Sequence, residues 1–83
     1  MVEYTAGTTI RNCTLDGKHV AYHAETEFLV QVRKNGKYLT KYRIKGNLPQ
    51  AVMWFNGINV GNGWRKRLYA PSMNKPTLAF VKG

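Results

Sequence analysis

The stretch from Phe28 to Lys45, FLVQVRKNGKYLTKYRIK, constrains this chain more than any other. It consists of two runs of alternating character joined at Lys34-Asn35-Gly36. Successive side chains of a strand point to opposite faces, so alternation over this length predicts two half-buried strands. Asn-Gly is a strong signal for a two-residue type I′ turn. That register, however, sets Lys41 and Arg43 on the same face as Val30 and Phe28. A three-residue loop, with Gly36 in the left-handed position of a G1 bulge, moves the pairing by one. One face then carries Phe28, Val30, Val32, Tyr38, Tyr42 and Ile44, with Thr40 among them. The other carries Gln31, Arg33, Lys37, Lys41, Arg43 and Lys45, with Leu29 and Leu39. A slip of one residue turns every side chain over, so the apolar pattern selects the second register. The expectation is a bulged hairpin with an apolar back and a basic front.

Charge is distributed as unevenly as polarity. Met1 to Val32 holds two basic residues and four acids, whereas Arg33 to Gly83 holds eleven basic residues and no acid. Such a split makes a one-sided positive field that attracts polyanions or acidic protein surfaces. With 83 residues the chain suffices for one small domain, 1–83, and 43% hydrophobic residues are enough to pack its core. The single cysteine, Cys13, excludes an internal disulfide and fits a reducing, cytoplasmic setting. MVEYTAGTT lacks the pattern of a signal peptide, and no apolar run approaches a membrane span.

Residues 1–7 are expected to form a short arm or a first edge strand. Thr8 to Leu15 and Lys18 to His23 flank Asp16-Gly17, a second hairpin signal, with Ile10, Leu15, Val20 and Tyr22 as its core contributors. After the central hairpin the period changes. Asn47 with Gln50 three residues later reads as a capping box, and Pro49 falls where a missing N–H costs nothing. Leu48, Ala51, Val52 and Phe55 then share one helical face, with Met53 pointing away and Trp54 at the margin. Gly57 stops the helix. About nine residues of helix are marginal alone, so this one must lie on the sheet over Phe28, Val30 and Val32. Trp64 to Ala70 and Thr77 to Val81 are the last strands, separated by a proline-bounded loop. The fold class is α+β: an antiparallel sheet of hairpins with one short helix packed on one face, in the order ββ-ββ-α-ββ.

The set that carries chemistry is Arg33, Lys37, Lys41 and Arg43 with Trp64, Arg65, Lys66 and Arg67. Cations on a sheet face track phosphates, and exposed rings stack on bases. Other constellations fail on chemical grounds. GINVGNGW has glycines but not the strand–GxxxxGK[ST]–helix order of a phosphate loop. Cys13, His19 and His23 are one ligand short of a structural zinc site and match no common spacing. A Cys13–His pair lacks an orienting third group. Glu25 and Glu27 would need a cleft that so short a chain does not wall. No enzyme activity, cofactor or metal is expected.

The segment NGKYLTKYRIKGNLPQAVMWFNGINVGNGWRKRL resembles small accessory proteins encoded by tailed bacteriophages, in its hairpin, short capped helix and following basic strand. Among these, proteins that disarm host nucleic-acid machinery, including anti-CRISPR proteins, are similar in size and α+β build. The resemblance implies binding and blocking without catalysis, in the bacterial host cytoplasm. Many such inhibitors are acidic DNA mimics, and this basic chain departs from that pattern. It would instead contact guide RNA, target DNA or an acidic protein groove. The order of hairpin and helix also resembles DNA-binding domains that read the major groove through a sheet, although here two more strands follow.

The expected function is thus a binding module for nucleic acid or a nucleoprotein complex, with DNA or RNA as partner. The alternative is an inhibitor that docks its basic face on an acidic host protein, anchored by Trp54, Trp64 and Arg65. No membrane partner is expected. An exposed Leu29–Leu39 pair would offer a seam for a homodimer.

Overall fold

The computed structural model of the protein describes residues 10–83. The expected arm at 1–7 and the first two residues of the opening strand lie outside that range. Six strands and one helix follow in the order ββ-ββ-α-ββ: β1 Ile10–Leu15, β2 Lys18–His23, β3 Glu27–Arg33, β4 Leu39–Lys45, α1 Leu48–Gly57, β5 Arg65–Tyr69 and β6 Thr77–Lys82. The strands form two antiparallel sheets, β1-β2 and β4-β3-β5-β6. The architecture is α+β.

Asp16-Gly17 closes the first hairpin as a two-residue turn, with Leu15 opposite Lys18 and φ positive at both turn residues. Those are the dihedrals of the type I′ turn that Asp-Gly favours. Tyr22 carries this hairpin into the core. Its ring meets Phe28 edge-on at 5.1 Å, and its hydroxyl accepts the Leu48 N–H at 3.3 Å.

In the central hairpin each of the two competing registers governs one half. Phe28 lies opposite Ile44 and Val30 opposite Tyr42, the register expected from the apolar pattern. The alignment then shifts, so that Gln31 faces Thr40 and Val32 faces Leu39. Those pairs belong to the shorter Asn-Gly register. Lys41 is the extra residue of a β-bulge that joins the two alignments. The expected faces are corrected accordingly. Thr40 joins Gln31 on the front, and its hydroxyl accepts a hydrogen bond from the Gln31 amide at 3.0 Å. Tyr38 also leaves the apolar back and packs among front-face arginines. Leu39 moves to the other face and is 63% exposed, while Leu29 is buried opposite Arg43 and Tyr69. A Leu29–Leu39 seam therefore does not exist.

The helix starts as its residues dictate. The Asn47 side chain accepts the Gln50 N–H at 3.1 Å, and proline occupies the first turn. Leu48, Ala51 and Phe55 are buried against Phe28, Val30, Leu68 and Ala70. The side chains of the helix seal the back of the four-stranded sheet, leaving the front free to carry a site. No helix among the described residues is long and apolar enough to cross a membrane.

Candidate functional site

Register alone decides which side chains share the front. Gln31 lies opposite Arg67, and Arg67 opposite Phe80. One step along the strands, Arg33 lies opposite Arg65, and Arg65 opposite Lys82. Three cations thus stand side by side across three strands. Like charges directly opposite one another destabilise a sheet. The two ion pairs among the described residues lie elsewhere, at the start of β3. Arg43 bonds Glu27 at 2.9 Å and Lys45 bonds Glu25 at 2.8 Å. The Lys45 ammonium holds the Glu25 carboxyl below the usual carboxylate range through that hydrogen bond and its charge. Glu25 and Glu27 therefore offset the outer cations of β4, and no acid among the described residues pairs with the Arg33–Arg65–Lys82 row.

Beside this row the arginines interleave with tyrosines. The Arg67 guanidinium lies 3.8 Å from the centre of the Tyr38 ring and 3.9 Å from that of Tyr69. Arg33 approaches the Tyr38 ring at 5.1 Å. Arg67 Nε donates to Gln31 Oε1 at 2.7 Å, and Gln31 is itself fixed by Thr40. The guanidinium is thus held between two rings and tied by one N–H, while its terminal amino groups bond no other described residue. A positioned fork of this kind suits a planar or anionic oxygen acceptor. Arg33 is held less completely. One terminal amino group reaches the Gly36 carbonyl at 3.5 Å, while its Nε is buried without a partner among the described residues.

The residues expected to form the site fall into separate groups. Arg33, Arg65 and Arg67 come together on the front, and Lys37 lies exposed in the loop that adjoins their end of the sheet. Trp64 sits at the same end, beneath the Lys34 ammonium at 5.9 Å. Lys41 stands on the bulge at the sheet's edge, and Arg43 is neutralised by Glu27. Lys66 is on the opposite face. Its Nζ donates to the carbonyls of Phe55 and Ile58 at 2.7 and 2.8 Å and lies 4.4 Å from the Phe55 ring centre. It supplies the positive charge at the helix C-terminus that the helix's own last turn lacks. Lys34, Tyr38, Tyr69, Phe80 and Lys82 join the site in the structure and lie outside the set expected from the sequence. The period-two signal for the last two was present in TLAFVK, where Phe80 and Lys82 share a face.

Separate roles for neighbouring cations give a direct prediction. Lys66→Met keeps the aliphatic stem and removes the donor that two carbonyls share, of which that of Phe55 keeps the Ile58 N–H, at an expected cost of about 1–3 kcal/mol in urea unfolding. Burial pushes the Lys66 ammonium below its usual pKa. Between that lowered value and the unfolded one the unfolded chain binds more protons, so stability rises with pH in that window. The wild-type advantage over Lys66→Met should therefore widen as pH approaches the ordinary lysine range. An unchanged unfolding midpoint in the variant would remove Lys66 from its capping role.

The first hairpin holds the candidate metal ligands apart. Cys13 pairs with Val20 and packs against the core, whereas His19 pairs with Thr14 on the other face. A concavity of about 990 Å³ lies between β2 and the 72–78 segment. Neither Arg33, Arg65, Arg67 nor Lys82 lines it. No family model, characterised protein or solved structure matches the chain.

Proposed function

We propose that this protein is a non-enzymatic module that binds nucleic acid through the front of its four-stranded sheet. The observation that carries the reading is the row Arg33–Arg65–Lys82, three cations in cross-strand register with no acid among the described residues to offset them. A sheet gains nothing from that arrangement by itself. A polyphosphate backbone laid across it turns the mutual repulsion into attraction, and releases counterions as it binds. Arg67 adds a positioned donor, and Lys34 and Lys37 extend the field at the same end. Such a module acts by occupancy, as the likeness to phage proteins that block host nucleic-acid machinery implies.

The test is a salt series. With contacts from Arg33, Lys34, Lys37, Arg65, Arg67 and Lys82, log affinity against log salt should have a slope of about −4 for a single strand and about −5 for a duplex. A fluorescent oligonucleotide should accordingly lose at least about 100-fold in affinity between about 50 and 200 mM salt. A slope near zero, or no binding at the lower salt, would overturn the reading.

A further inference from the structure

The front also spans four strands, and it presents an open ring beside its cations. Building on the nucleic-acid reading above, we infer that the ligand is a single strand, with phosphates on the Arg33–Arg65–Lys82 row and a base stacked on Phe80. Width is the first argument. Four strands about 4.8 Å apart set the outer strand axes about 14 Å from one another, before any side chain is added. The major groove of duplex DNA is about 12 Å wide and accepts a helix or a two-stranded ribbon. The sheet front is too broad to enter it.

The aromatic surface is the second argument. Phe80 is 50% exposed, lies directly opposite Arg67 and is two residues from Lys82 on the same face. Arg67 already lies against both nearby tyrosine rings, which leaves Phe80 as the open ring of this face among the described residues. A duplex hides the faces of its bases within the stack and would leave this ring unused. An unpaired strand offers those faces, and stacking on a ring accepts any base. The cations and Phe80 together thus match a backbone and a base from the same flexible strand.

Fluorescence anisotropy with a labelled strand of about 15 nucleotides and with its duplex tests this, at equal salt, using the whole chain. The strand should bind at least about tenfold more tightly than the duplex. Phe80→Ala should weaken strand binding by about 5- to 100-fold and leave duplex binding unchanged. Phe80→Tyr, which keeps the ring face, should restore it. If both forms bind and Phe80→Ala weakens neither, or both alike, the strand inference fails and the basic-face reading stands. If neither form binds, the functional reading fails first. If Phe80→Ala shifts only the sedimentation of the free protein, the ring serves self-association and the inference is again overturned.

Discussion

Replacing Arg65 by Glu is expected to weaken oligonucleotide binding by at least about 100-fold while raising the melting temperature. Arg65 is the middle member of its row, with Arg33 opposite on one side and Lys82 on the other. A glutamate there removes one phosphate contact and engages both neighbours as ion pairs, so three cations are lost to a ligand. Counterion release alone then predicts a loss on the order of 10²–10³-fold at about 50 mM salt. The same change replaces two like-charge pairs with two opposite-charge pairs, each worth about 0.2–1 kcal/mol. In a domain of this size the melting temperature should rise by several degrees, since about 1 kcal/mol corresponds to about 4–8 °C. Circular-dichroism melts and anisotropy titrations read the two effects separately. Binding within about threefold of wild type would show that the row does not touch the ligand. A lowered melting temperature would show that the row is not a source of repulsion.

The largest effect on stability is expected at Gly46, between β4 and α1. Its φ of 66° lies in the left-handed region, its N–H donates to Thr26 at 2.7 Å, and its carbonyl accepts from Arg11 at 2.8 Å. These bonds join the β2–β3 connection and the first hairpin to the end of the large sheet. A Cβ at this position would collide with the backbone carbonyl of Ala24, which has no rotamer with which to retreat. Gly46→Ala should therefore cost more than about 3 kcal/mol, against about 1–2 kcal/mol for left-handed strain alone. Gly17→Ala supplies the comparison, because Gly17 also has positive φ but open space around its missing Cβ. Equal losses in chemical denaturation would mean that the Ala24 contact does not constrain the fold.

What the sequence discloses depends on how local each cause is. The helix is readable because its determinants, Asn47, Pro49, Gln50 and the Leu48–Ala51–Phe55 face, lie within about two turns of one another. The Asp16-Gly17 hairpin is readable for the same reason. The central hairpin is readable by halves. Packing under the helix requires Phe28–Ile44 and Val30–Tyr42, while the loop end adopts the alignment that pairs Gln31 with Thr40. Treating the hairpin as one register forces a choice that the bulge at Lys41 avoids, and that choice puts Tyr38, Thr40 and Leu39 on the wrong faces.

The site shows the same limit. In WRKRLY the period of two separates Arg65, Arg67 and Tyr69 from Lys66 and Leu68, yet a contiguous run of cations reads as one patch. Lys66 serves the helix because the pleat turns it toward Phe55, and a helix C-terminus without a cation of its own takes one from the sheet beneath. Pairing of β3 with β5 brings Arg33 beside Arg65 from more than thirty residues away. No local pattern encodes that neighbour.

The segregation of charge along β3 has a consequence for encounter rather than for bound lifetime. Glu27 opens this strand with Arg43 already engaged, and Arg33 closes it about 20 Å away. Charge is therefore uneven along β3, paired with a neighbour at its first residue and unpaired at its last. In dilute salt, where fields reach about 30 Å, a polyanion turns such a body before collision and raises the fraction of productive approaches. At physiological ionic strength the reach falls to about 8 Å, and orientation then begins only near contact.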